Sequence, residues 1–173
     1  RPGHDRLISL GDLIHKGPHS AKVIEYFYEQ KLEVLMGNHE WHLLEVLRGN
    51  CKTYPEGEKI LSELTISKKK LTQWLASLPF YIRDKDFIAV HGALDPAKNK
   101  YKKTDPMDMI SARYFNEKTQ QMIGNIKKPP EHIKPWYEVY PADKIKDRYV
   151  LFGHWAKPQI RQHDKFYCLD SGC

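Results

Sequence analysis

Four polar islands, each directly behind an apolar run, constrain this chain more than any other feature. Gly11-Asp12 follows Leu7 to Leu10, Gly37-Asn38-His39-Glu40 follows Leu32 to Met36, His91-Gly92 follows Phe87 to Val90, and Gly153-His154 follows Tyr149 to Phe152. Short apolar runs bounded by turn residues read as buried strands. The islands are therefore expected at strand ends, where open α/β sheets place their sites.

The rest of the chain supports an α/β reading. Ser20 is placed to cap a helix reaching about Gln30, with Val23, Ile24, Phe27 and Tyr28 on its inner face. A helix after Asn38 carries Leu43, Leu44 and Leu47 at core spacing, and two more helices are expected between Glu56 and Ser77. Tyr81 to Arg83 and Phe87 to His91 read as a hairpin around Asp84-Lys85-Asp86. An irregular Lys- and Pro-rich stretch to about Asp147 reads as a cap or insertion. The strands Tyr149 to Phe152 and Phe166 to Leu169 are then expected to complete a sheet that starts α/β and ends largely antiparallel.

A length of 173 residues suits one domain with a sizeable core. The formal charge of +6, from 28 Lys and Arg against 22 Asp and Glu, is modest and concentrated in runs such as Lys68 to Lys70 and Lys100 to Lys103. Such runs read first as solvated surface and second as attraction for a polyanion, a nucleic acid included. No apolar run reaches the roughly 18 residues of a membrane span. Cys51, Cys168 and Cys173 are too few and too scattered for a disulfide framework or paired zinc ligands, which favours the cytoplasm.

Carboxylate, amide and imidazole groups in this order suit phosphate chemistry. A phosphate ester repels hydroxide, so its site must supply positive charge and a nucleophile together, and two divalent metals do both. Asp12 can bridge two ions, Asn38 offers a neutral oxygen, and His91 and His154 offer imidazole nitrogen. Mixed oxygen and nitrogen ligation suits manganese, iron, cobalt or zinc better than calcium. His39, beside Asn38, can protonate a leaving oxygen as general acid, with Glu40 orienting it or anchoring the loop. Lys16 can reach a phosphate oxygen as a point charge.

The blocks from Gly11 to Pro18 and Gly37 to Glu40, with Val90-His91-Gly92 and Gly153-His154, resemble the signatures of the phosphoprotein-phosphatase-type metallophosphoesterases. The stretches from Gly37 to Leu44, Lys134 to Tyr137, Phe152 to Ala156 and Leu169 to Cys173 are most similar to the bacterial symmetrical diadenosine tetraphosphatases. The resemblance implies a calcineurin-like sandwich of mixed sheets flanked by helices. It implies Asp12 as bridging ligand, Asn38, His91 and His154 around the second metal, His39 as acid, and Lys16 where relatives carry a phosphate-binding Arg. Arg113 is implied as a second phosphate clamp, and His15 stands where many relatives carry Asp, its role open. Relatives also carry an earlier Gly-Asp-x-His-Gly block on a preceding strand and a further strand at the other end. Residues 1–173 are therefore expected to form one metallophosphoesterase domain lacking its first and last strands, with His4 and Asp5 as non-ligands.

The activity implied is symmetric hydrolysis of diadenosine tetraphosphate to nucleoside diphosphates, with an aromatic such as Trp41, Trp136 or Tyr137 available to stack on a base. A protein or RNA-end phosphatase of the same superfamily is the second reading. A non-catalytic nucleotide- or RNA-binding scaffold is the third.

Overall fold

The computed structural model describes residues 5–14 and 17–172. The expectations for His4, His15, Lys16 and Cys173 lie outside the described residues. By its internal contacts the chain divides into two compact units, Arg1–Pro79 and Phe80–Cys173.

The first unit is a β-α-β opening followed by three helices. β1 (Ile8–Ser9) and β2 (Glu33–Val34) pair in parallel, joined through α1 (Ser20–Glu29). α2 (Asn38–Leu47), α3 (Pro55–Glu63) and α4 (Lys68–Ser77) follow. Ser20 begins α1 rather than capping it; His19 holds the cap position, and the Ser20 hydroxyl donates to the carbonyl of Gly17. Val23 points outward, because Ala21, Ile24, Phe27 and Tyr28 define the inner stripe and residue 23 falls about a third of a turn off it. Val34, Leu35, Met36, Leu43, Leu44, Leu71 and Leu75 are buried as the core of this unit.

The second unit holds a five-stranded sheet. β3 (Tyr81–Arg83) pairs antiparallel with β4 (Phe87–Val90), as the hairpin pattern predicts. Its remaining strands are β8 (Tyr149–Phe152), β9 (Arg161–His163) and β10 (Phe166–Cys168), in the spatial order β3-β4-β8-β10-β9. The expectation of a largely antiparallel ending is corrected: β4 with β8 and β8 with β10 are parallel, and only the two edge pairs are antiparallel. Only those edge pairs are joined by tight turns; the parallel pairs are linked by longer crossovers.

The stretch read as irregular also contains regular structure. After α5 (Pro106–Ser111), β5 (Tyr114–Asn116), β6 (Gln121–Ile123) and β7 (Ile133–Pro135) form a separate antiparallel sheet in the order β6-β5-β7. The Asn116 side chain accepts from the N–H groups of Lys118 and Thr119, which closes the turn between its first two strands. α6 (Trp136–Val139) then places Trp136 at 1% exposure against Tyr140, Phe152 and Phe166. Trp136 and Tyr137 are thus core residues and not a base-stacking platform. Among the described residues no helix is long and apolar enough to cross a membrane.

Candidate functional site

In the first unit the site residues gather on the turn after β1 and the start of α2. Gly11 (φ 95°) and Asp12 (φ 56°) both adopt left-handed backbone, which for a non-glycine residue needs outside support. That support is Glu40. Its carboxylate is 1% exposed and accepts the N–H of Asp12 at 2.7 Å, Leu13 at 2.8 Å and Gly37 at 3.1 Å. Burial, and then the charge of Asp12, push the Glu40 carboxyl up to about 7 against the pull of the Asp12 and Leu13 N–H groups.

Gly37 is required here by space. A Cβ at that position would lie 2.5 Å from Oδ1 of Asp12 and 2.6 Å from its backbone nitrogen, so the β2–α2 corner can press directly on the Asp12 turn. Asn38 begins α2, and His39 follows it. The His39 N–H donates to Asp12 Oδ1 at 3.3 Å, and its Nε2 lies 3.9 Å from Asp12 Oδ2. Of the two roles the sequence allows Glu40, orienting His39 or anchoring the loop, its hydrogen bonds make it the anchor of the Asp12 turn.

In the second unit the site residues are His91 and His154. Val90 of β4 lies opposite Phe152 of β8, and the next residues continue the pairing, with the Gly153 N–H donating to the His91 carbonyl at 2.8 Å. This register delivers both imidazoles to the same end of neighbouring parallel strands. His91 Nε2 stands 3.2 Å from His154 Nδ1. The far nitrogen of His154, Nε2, faces the Ser111 carbonyl at 3.2 Å. A proton on that nitrogen leaves Nδ1 as the lone-pair face, the arrangement that orients metal-bound histidines.

The donor geometry fits a divalent cation. Two nitrogens each about 2.1 Å from one ion, at cis-octahedral to tetrahedral angles, stand roughly 3.0–3.4 Å apart. His154, like Asp12, has a left-handed backbone, at φ 66°. Arg113 was expected to face substrate phosphate; its Nη2 donates to the His154 carbonyl at 2.8 Å.

Sequence reading missed Arg161. Its Nη2 donates to the Trp155 carbonyl and lies 2.9 Å from Cys168 Sγ. Neither contact leaves a mark in the local sequence, because both depend on the β9–β10 register that sets Arg161 opposite Cys168.

Comparison with known proteins gives one consistent picture. The profile of the calcineurin-like phosphoesterases matches residues 1–158. A curated protein of Legionella pneumophila named symmetrical bis(5'-nucleosyl)-tetraphosphatase is 24% identical over 221 aligned positions, covering 98% of this chain and 79% of that protein. Its namesake in Vibrio parahaemolyticus is 26% identical, covering 98% of this chain and 81% of its own length. A crystal structure described as a candidate diadenosine tetraphosphatase superposes with a TM-score of 0.79 at 22% identity, covering all of this chain and 73% of that one. A metallophosphoesterase structure from Sphaerobacter thermophilus gives a TM-score of 0.52 at 17% identity, covering 92% of this chain and 54% of that one.

Proposed function

Because the chain belongs to the calcineurin-like phosphoesterase family and is a phosphoester hydrolase, we propose that it cleaves diadenosine tetraphosphate symmetrically into two nucleoside diphosphates. The observation that carries the metal-dependent part is the pair of ring nitrogens of His91 and His154, held 3.2 Å apart at adjoining strand ends. The substrate assignment is supported by the names of relatives that align over 98% of the chain.

Two divalent ions, with manganese as first choice, supply charge toward phosphorus and a more acidic water when bound. Asp12, Asn38, His91 and His154 are proposed as their ligands. The mixed oxygen and nitrogen donors are those such an ion prefers over calcium. Water oxygen bonds to phosphorus as the bond to the departing diphosphate oxygen breaks, and His39, whose Nε2 lies 3.9 Å from Asp12 Oδ2, gives its proton to that oxygen. Glu40 keeps the Asp12 turn in its left-handed form. Lys16 is proposed to hold the polyphosphate. Arg113, which donates to the His154 carbonyl, is proposed as the second phosphate clamp. The cytoplasm is proposed as the compartment of the chain.

Product analysis tests the proposal. With manganese and diadenosine tetraphosphate, chromatography is expected to show ADP as the sole nucleotide product. ATP with AMP would contradict symmetric cleavage, and faster phosphate release from a phosphopeptide or an RNA 3′-phosphate would move the chain to another substrate class.

A further inference from the structure

A left-handed backbone at His154 needs something to hold it, as Glu40 holds Asp12. After β8 the support is cationic. Two guanidinium groups take successive carbonyls instead: Arg113 Nη2 donates to His154 and Arg161 Nη2 to Trp155. Arg161 reaches there from β9, at the sheet edge, and lies over the Trp155 ring at 5.0 Å. Its Nε and Nη1 are buried without a hydrogen-bond partner among the described residues, as is Trp155 Nε1.

That is a poor way to build a core. Orphaned N–H groups that are themselves buried cost stability even on a half-buried arginine, and an apolar side chain in the same space is often neutral or stabilising. The one bond of Arg161 to the main chain of this turn falls on the residue after His154. We propose that Arg161 is a positioning residue for His154: it fixes the Trp155 carbonyl, and with Arg113 it holds the left-handed turn that keeps His154 Nδ1 facing His91 Nε2. This rests on the metal-dependent reading of the preceding section. It adds a residue outside all four polar islands and explains why a cation, and not an aliphatic side chain, occupies the edge strand opposite Cys168.

The test compares Arg161→Met, Arg161→Lys and Arg148→Met in the full chain. Arg148 also donates to a backbone carbonyl in the second unit, that of Asp84 at 3.0 Å, and so controls for the loss of any arginine–carbonyl bond. Calorimetric titration with Mn2+ alone is expected to show affinity about tenfold lower in Arg161→Met, the lower end of the effect of removing a group that orients a metal ligand. Arg161→Lys should recover part of the loss, and Arg148→Met should bind as the parent does. Thermal unfolding of metal-free Arg161→Met is expected at or above the parent temperature.

Undiminished Mn2+ affinity in Arg161→Met, beside a parent that binds, overturns the inference alone. A parent chain that binds no Mn2+ overturns the functional reading beneath it. If Arg161→Met does not fold, Arg161→Lys decides: an Mn2+ affinity equal to the parent's counts against the inference, and an intermediate affinity with unchanged unfolding temperature supports it.

Discussion

The two units solve one problem with opposite charges. Each follows a strand with a glycine and then a left-handed residue proposed as a metal ligand, Asp12 in the first and His154 in the second. Around Asp12 the exposed main-chain groups are N–H donors, and a buried anion, Glu40, collects three of them. Around His154 they are carbonyls, and two guanidinium groups take one each. The sign of the support follows from which half of the peptide the turn leaves unpaired. It also separates their electrostatics: the Glu40 carboxylate is repelled by Asp12, the residue it supports.

The sharpest break is chemical, since only the first unit is proposed to supply a proton. His39→Ala is expected to lower kcat by roughly 10²- to 10⁴-fold for a diphosphate leaving group. The loss should be much smaller for p-nitrophenyl phosphate, whose leaving group needs no proton. Equal losses on both substrates would remove His39 from acid catalysis and leave the units chemically equivalent.

Next comes the anchor itself. Glu40→Ala orphans three main-chain N–H groups, so thermal unfolding should report a loss of roughly 3–5 kcal/mol. A loss below about 1 kcal/mol would show that the Asp12 turn stands without its anion. Gly37→Ala probes the same corner through space alone. The new methyl group meets the Asp12 backbone at 2.6 Å, and main chain gives way less readily than a flexible side chain, so a cost of about 1–3 kcal/mol is expected in the same assay.

The smallest effect belongs to Asp108 in the second unit. Burial, followed by the charges of Asp105 and Asp95, holds its carboxyl at about 6, above its ordinary value of 3.8. The folded state therefore binds this proton more tightly than the unfolded chain. The contribution is complete below the ordinary value and is lost as pH rises through about 6. Asp108→Asn should flatten that part of the stability profile and raise the unfolding temperature slightly at pH 7. An unchanged slope between pH 4 and 6 would contradict it.

Strand ends were legible because each apolar run is bounded by glycine and a polar residue, and that pattern depends on local sequence alone. The start of α2 at Asn38 was readable for the same reason. The β5–β7 sheet was not, since strands of three residues carrying Asn116, Gln121, Lys134 and Pro135 are too short to show alternation. The parallel centre of the larger sheet was hidden because parallel pairing is set by crossovers and leaves no turn signature. Arg161 was hidden most deeply. Its partner is a carbonyl, which every residue has, and only the fold decides which one lies within reach.

Asp12 and His154 are the two proposed metal ligands whose loss bears most on the proposed hydrolysis. Its most direct test measures Mn2+ affinity and Mn2+-dependent hydrolysis of diadenosine tetraphosphate in Asp12→Ala and in His154→Ala, one variant from each unit. Both are predicted to bind Mn2+ more weakly than the parent and to lose nearly all turnover while remaining folded. Parental affinity and turnover in either variant would contradict the account.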